Sequence, residues 1–558
     1  MTARDAPALD PAPPDPALAG LDGEPPDSGA PESTRSLVGR AAMIILLATV
    51  VGRVLGLVRD MVVANLFGAK SLTDAFFLAY KIPYLLSLTV AGALTATFIP
   101  VFTQRLVRGE RDQAWELSVS MTNAAGLVLL ALTVVCILLA PWLVPLFGPG
   151  FNPATMDLAV ELFRVLMLSV IFAGLAGLAT GVLNSLKRFG MAAFAPAAGA
   201  VVTIGFVVAF AGSWSINSLA WGTTVGALAS FLILFPQMRS HGMRYKPRIN
   251  WRLPGMGEVG MMVWPVLIGS AVGKVSIFVD QVLGSLQGVG AISALNYSEK
   301  LFQMPLGLFV AGITIPIFPL LSEQVAAKQP QKVKVTLNFA LRLIAFVMIP
   351  ASVGLIVLRT PIVAFLFQSG KFTADDTSRT AWALLFYSIG LFSYAGRDTL
   401  TRVFYAYHDT RTPVKISVAA VGINIVCSYL LMHVLGVGGL AFGTTIALTV
   451  NFIVLIELLR RKLGPMLFGS FFRSLARILA VAGLMGGAVW ALDAVLAHAL
   501  VSDRVTMGIR VVLGLALGSA VYFGVAYLAR LPEAGEIVSM LKATLTRRPG
   551  RGRQEDPF

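Results

Sequence analysis

Two arginines and an aspartate stand close together inside an apolar run, in the stretch Gly52-Arg53-Val-Leu-Gly-Leu-Val-Arg59-Asp60. The run from Ser36 to Phe67 is long enough to cross a bilayer, whose hydrocarbon core takes about 20 helical residues. A charge at the centre of such a helix costs roughly 2.5–3.5 kcal/mol on insertion scales. Charges kept there face a protein interior or a watery path and mark a route for substrate or ion. At about 100° per residue, Arg53, Gly56 and Asp60 share one stripe with Arg59 beside it, and the stripe is expected to line a cavity. Arginine carries a planar fork of donors suited to phosphate and is always charged, so the surplus of arginine over aspartate predicts an anion such as a pyrophosphate. An Arg–Asp pair that merely joins two helices would leave the second arginine without a role.

Other charges fall inside apolar segments: Asp74, Lys81, Glu161 and Arg164 in the first half, and Lys274, Asp280, Glu299, Lys300, Arg342, Arg397, Asp398 and Arg402 in the second. Lys81, Glu161, Arg164, Arg342 and Arg402 lie near enough to segment ends for their head groups to snorkel to the interface. Asp280, Asn424 and Thr444, from three segments, could offer oxygens to a small hard cation. Asn424 and Thr444 equally read as polar groups bonding across helices. Gly269-Ser-Ala-Val-Gly273-Lys274 has one residue too few between its glycines for a phosphate loop, and Val275 stands where Ser or Thr must follow the lysine. It reads instead as small residues allowing helix contact. With no ATPase module and no cofactor motif, transport would draw on an ion gradient, the membrane potential or the substrate gradient. Cys136 and Cys427 lie in different apolar segments, and His241, His408, His433 and His498 have no ligand spacing, so neither a disulfide framework nor a metal centre of those residues is expected.

The elements that position these residues follow from composition. The chain of 558 residues is 56% hydrophobic and 13% charged, against about 25% charged in soluble domains, which makes it an integral membrane protein. Apolar windows give about fourteen spans, near 38–66, 73–101, 118–143, 158–183, 190–211, 216–237, 258–284, 290–319, 334–358, 377–405, 412–433, 437–460, 473–494 and 506–529. Alternate loops differ in basic content: one set holds Arg105, Arg108 and Arg111, then Lys187 and Arg188, Arg239 to Arg252, Lys328 to Lys334, Arg411 and Lys415, and Arg460 to Lys462. The other set has little beyond Lys70, Lys371 and Arg504. The positive-inside rule puts the basic loops and both termini in the cytoplasm. The net charge of +15 therefore reports orientation, and no nucleic-acid partner is expected.

Residues 1–35, rich in Pro, Ala and acids, read as a disordered leader, and 532–558 as a basic tail beside an anionic membrane surface. Between them lie a six-span lobe (36–238), a basic linker (239–256), a second six-span lobe (257–462) and two further spans (463–531). The lobes echo each other. Lys81-Ile-Pro83, Val90-Ala91-Gly92 and Phe98-Ile-Pro100 have a loose counterpart in Lys300, Met304-Pro305, Val310-Ala311-Gly312 and Phe318-Pro319. Such repeats are common in transporters that rock one half against the other.

The opening stretch, followed by Ala64-Asn-Leu-Phe-Gly68, Thr73-Asp-Ala-Phe-Phe77 and Lys81-Ile-Pro83, resembles the MurJ (MviN) lipid II flippases of the multidrug/oligosaccharidyl-lipid/polysaccharide exporter superfamily. Leu183-Asn184, Arg188-Phe189, Pro196 and the block Phe404 to Pro413 extend the resemblance over about residues 38 to 530. It implies an all-α polytopic protein with about fourteen helices, two lobes around a cationic cavity, and two last helices forming a groove for a polyprenyl tail. The implied substrate is undecaprenyl-pyrophosphate-linked disaccharide pentapeptide, moved to the outer leaflet of the bacterial inner membrane; separately, a monomer is expected. Arg53, Arg59, Asp60 and Asp74 match positions needed in the family, and Lys300 stands where arginine is usual. Asp280, Asn424 and Thr444 match a sodium site of some members, with Ser428 in place of an aspartate. The segment Pro83 to Ala93 lacks the family's usual Asn, Arg and Glu and is one residue shorter. That departure keeps two other readings open, a flippase for another polyprenyl-pyrophosphate sugar and a cation-coupled antiporter of the superfamily. The antiporter would want an acidic cavity.

Overall fold

The computed structural model describes residues 32–272, 275–307, 311–465, 468–499 and 503–536. The leader up to residue 31, Lys274 and the tail beyond 536 lie outside them, as do the side chains around Gly269–Gly273. The described residues are α-helical throughout: α1 (Glu32–Phe67), α2 (Ser71–Val107), α3 (Arg111–Phe147), α4 (Pro153–Ser185), α5 (Phe189–Trp214), α6 (Asn217–Leu232) and α7 (Phe235–Ser240) form the first lobe. The second holds α8 (Met256–Val272), α9 (Val275–Ser285), α10 (Ala291–Pro305), α11 (Ala311–Ala326), α12 (Pro330–Val357), α13 (Arg359–Phe367), α14 (Ala374–Ile389), α15 (Leu391–Ala406), α16 (Arg411–Leu435) and α17 (Val437–Leu463). The chain closes with α18 (Phe468–Ala499) and α19 (Arg504–Leu528).

Ten helical segments among the described residues are long and apolar enough to cross a membrane: α2 to α5, α6 with α7, α12, and α16 to α19. The remaining expected spans are α1 and the pairs α8–α9, α10–α11 and α14–α15. Each pair divides one apolar window into helices of 11 to 17 residues. The α14–α15 division falls at Gly390, against which the side chain of Thr445 packs so closely that a Cβ there would meet its Oγ1. Two elements depart from the sequence reading. α1 begins at Glu32, inside the segment read as leader, and α13 occupies a stretch read as loop, where it packs against α19 and α14.

Helices in a bilayer gain little from mutual hydrophobicity and associate where small residues let backbones approach. In the first lobe α2 packs along α4, with Gly174, Gly177 and Gly181 facing Val90 and Leu129, Ala91, and Thr95. Gly199 of α5 and Gly226 of α6 meet backbone to backbone. The linker read as a basic connection is pinned to this lobe: Asn123 Nδ2 donates to the carbonyls of Lys246 and Arg248 (2.9 Å each), Arg111 to His241, and Arg105 to Pro254. In the second lobe α17 packs on α16, α14 and α15, while α12 carries α18, which in turn carries α19.

Candidate substrate site at the lobe junction

The lobes meet where α1 and α2 face α10. Asp60 Oδ1 accepts from Arg59 Nε (3.2 Å) and Nη2 (3.0 Å), and Lys300 Nζ of the other lobe lies 2.6 Å from Asp60 Oδ2. One buried carboxylate is thus shared by a cation from each lobe, and one positive charge is left over. Lys300 also sits over the face of Phe77, 5.3 Å from its centroid. The crevice lined by Arg59, Asp60, Phe76, Phe77, Tyr80 and Lys300 measures about 10 Å³, room for about one water. The open cavity expected from the charge stripe is therefore collapsed here. Asp60 supplies the negative charge that both cations attract, and it draws the lobes together.

Arg53, two turns earlier on α1, is exposed and points its Nη1 at the carbonyl of Gln303, 3.4 Å away. Its guanidinium lies on Gly307, where any Cβ would overlap it. Lys81 does not snorkel. Its ammonium pairs with Glu299 across the lobes at 3.3 Å, and Gln303 Nε2 donates to the same carboxylate at 2.8 Å. Glu299 had no assigned role in the sequence, although the repeat sets Lys81 and Lys300 at equivalent positions and so hinted that both face the junction. Arg342 does not snorkel either, being paired with the fully buried Glu533 just after α19. Arg402 pairs with Asp398 one turn away.

Asp74 is not part of the crevice. It caps the start of α10 on the basic-poor face, accepting from the backbone N–H of Gly290 (2.5 Å) and Ser293 (2.8 Å) and from Ser293 Oγ (2.6 Å). Gly290 is held at φ +87° with the Ala69 carbonyl oxygen where a Cβ would point, a place no side chain could occupy. Lys70 with Asp376 (3.1 Å), Lys371 N–H with the Asn65 carbonyl (2.9 Å) and Gly150 N–H with Ser285 Oγ (3.1 Å) complete a seam along this face. A helix N-terminus favours negative charge, so Asp74 is well placed to hold that seam shut.

Asn424 Nδ2 donates to Thr444 Oγ1 at 3.0 Å and toward Ser428 Oγ at 3.4 Å, the helix-to-helix bond anticipated as one reading of the pair. Asn424 Oδ1 and Asp280 Oδ1 are buried without a hydrogen-bond partner. No cluster of three or more His, Cys, Asp or Glu able to hold a metal occurs among the described residues. The sequence census of charges omitted one intramembrane pair, the two-pronged contact of Arg510 with Asp493 (both 2.8 Å) that ties α19 to α18.

Comparison with known proteins bears on this arrangement. The family model described as lipid II flippase MurJ matches residues 63–509. The chain belongs to the MurJ lipid II flippase family. Within it, the chain is 31% identical to the probable lipid II flippase MurJ of Vibrio cholerae over 469 residues, covering 81% of this chain and 89% of that one. It is 29% identical to the lipid II flippase MurJ of Burkholderia cenocepacia, covering 88% and 96%. The solved structure of a lipid II flippase MurJ in an inward closed conformation superposes with a TM-score of 0.72 at 24% identity, over 87% of this chain and 99% of that one. A multidrug resistance MATE family transporter in an inward-facing conformation gives 0.63 at 17% identity, over 76% and 98%. These likenesses fix the fold as that of the MurJ and MATE transporters. The MurJ family is one of transporters and not of enzymes, and its members are multi-pass membrane proteins.

Proposed function

We propose that this chain flips lipid II from the inner to the outer leaflet of the bacterial inner membrane by alternating access, with both termini and the basic loops in the cytoplasm. Membership of the MurJ family carries this reading, and the Arg59–Asp60–Lys300 cluster at the lobe junction supplies its chemistry. A pyrophosphate brings more negative charge than one carboxylate and competes with Asp60 for both cations. Arg59 offers it a two-donor fork, and Lys300 a compact point charge where family members usually carry arginine. Without Asp60 bridging them, the lobes are free to part at the crevice and later to open the Asp74 seam, while the tail stays in lipid. Asp74 acts in this cycle as a latch of the outer face. The missing arginine in Pro83 to Ala93 leaves more of the pyrophosphate to Arg59.

Asp280, Asn424 and Thr444 would hold a coupling cation such as sodium. The two orphaned oxygens, Asp280 Oδ1 and Asn424 Oδ1, favour that assignment, because a buried acceptor without a partner costs about 1–3 kcal/mol. Bound there, the cation would add stability at this site and make it responsive to the ion gradient.

The test is reconstitution in liposomes with labelled lipid II beside an undecaprenyl-pyrophosphate sugar lacking the peptide. Wild-type protein should flip lipid II, and Arg59→Ala should abolish transport while folding normally. Transport of the peptide-free lipid alone would sink the lipid II assignment, and full activity of the Arg59→Ala variant would remove the pyrophosphate clamp.

A further inference from the structure

A cavity of about 580 Å³ lies away from the Asp60 crevice, inside the second lobe between α15, α16 and α17 with Phe318 of α11. Apolar side chains such as Phe318, Val414 and Leu448 make up most of its wall, but Arg397, Asp398 and Arg402 line it too. Arg397 lines it with a buried Nε that has no hydrogen-bond partner, and among the described residues no acid pairs with this arginine, because neighbouring Asp398 is held by Arg402 at 3.3 Å. The guanidinium is fixed by stacking on Tyr394, 5.1 Å from the ring centroid. Asn451, only 2% exposed, also lines it, and its side-chain carbonyl oxygen has no hydrogen-bond partner. The cavity therefore has one uncompensated cation and one unsatisfied amide oxygen among its lining residues.

Those features select a ligand with one anionic group and, beside it, hydroxyl or amide N–H donors. An arginine with an unpartnered donor gains most from a carboxylate or phosphate, and an orphaned amide oxygen from a donor. Packed rings lie between the substrate site and Arg397. Phe302, two residues beyond Lys300, packs edge-on against Tyr394 at 5.8 Å, and Tyr394 carries Arg397.

We propose that the second-lobe cavity is a headgroup subsite in which Arg397 binds a carboxylate of an acidic glycopeptide while Asn451 accepts from its hydroxyl or amide groups. This deepens the flippase reading and rests on it for the identity of the lipid, but the binding chemistry can be tested alone. Arg397 distinguishes substrates by the peptide portion, whereas Arg59 reads the pyrophosphate common to all of them.

The experiment is calorimetric titration of the purified full chain in detergent with a soluble, tail-free acidic glycopeptide, beside the same molecule with its carboxylates converted to carboxamides. Wild type should bind the acid at least about tenfold more tightly, as expected for one charge-assisted contact. Arg397→Gln should erase that preference, Arg397→Lys should retain part of it, and Asn451→Leu should weaken both ligands alike. Equal binding of acid and amide by wild type, or no binding of either, overturns the subsite even if Arg397→Gln fails to fold. Inorganic pyrophosphate that displaces the glycopeptide in wild type but not in Arg397→Gln would reassign the site to phosphate and overturn the carboxylate proposal. Binding as expected with no lipid flipping in liposomes would discard the flippase reading and leave the subsite standing.

Discussion

The two lobes share a helix plan but differ in what fills them. In the first lobe, glycines on α4 and α5 bring backbones together, and buried hydroxyls largely bond to carbonyls of their own helix, as Thr97 does to Ala93 and Thr122 to Ser118. In the second, hydroxyls such as Thr380 and Ser388 do the same, but several side chains also bond to side chains across helices. Asn424 reaches Thr444, Thr449 reaches Ser393 at 3.1 Å, and Thr314 reaches Thr399 at 3.4 Å, with the large cavity among them. The first lobe is thus a stiff frame that presents Arg59 and Asp60 at its edge. The second is a polar interior able to accept ions or headgroup atoms.

Substitutions in the two interiors should separate them most sharply. Gly177→Leu would drive a side chain into the Ala91 backbone, where even a Cβ approaches within 2.6 Å of the Cα, and should cost more than about 3 kcal/mol or abolish folding. Ala447→Leu, on the cavity wall of the second lobe, should cost less than about 1 kcal/mol. Thermal melting in detergent compares the two, and equal losses would erase the distinction between frame and polar interior.

At the boundary between lobes, Asp60→Asn leaves Arg59 and Lys300 without their shared carboxylate and should lower stability by about 3–5 kcal/mol. Adding Lys300→Met to Asp60→Asn should recover part of that loss, because one uncompensated cation is removed. Double-mutant melting curves that show no coupling would mean that the bridge does not hold the lobes.

Smaller effects should follow the hydroxyls. Thr449→Val breaks a bond between helices and should cost about 0.6–1.7 kcal/mol, while Thr97→Val breaks only a bond within α2 and should cost a few tenths. A larger loss at Thr97 would reverse the comparison.

The smallest effect lies outside the membrane, at Asp409 in the basic loop after α15. The backbone N–H and Oγ of Thr412 donate to its carboxylate, with Lys462 nearby, and hold it below the usual carboxylate range. A depressed carboxyl contributes stability that is complete above its unfolded value of about 3.9 and is lost as pH falls through the lower folded value. Asp409→Asn should therefore melt slightly earlier than wild type at pH 7, with the gap closing below about pH 4. A gap that persists in acid would assign the effect to packing.

Much of this was legible in the residues. Charges inside apolar runs pointed to Arg59 and Asp60, since bilayer physics makes such charges too costly to keep idle, and basic loops ordered the spans without any three-dimensional information. Lys81 and Arg342 were misread because distance along the chain to a span end says nothing about a partner on another helix, here Glu299 and Glu533. Asp74 was read as a position needed in the family because it sits in a matching motif, and only the fold places its carboxylate at the start of α10.

By itself, then, the sequence determined the membrane class, the helical plan and the cationic excess at the first helix, because hydropathy and charge are local properties read against a fixed bilayer thickness. Only the tertiary structure decided that Lys300 of the second lobe meets Asp60, that the crevice between them is shut, and that Arg397 lines a cavity with no acid paired to it among the described residues. Those facts depend on which helix faces come together, and a pairing between residues some 240 positions apart leaves no mark on local spacing.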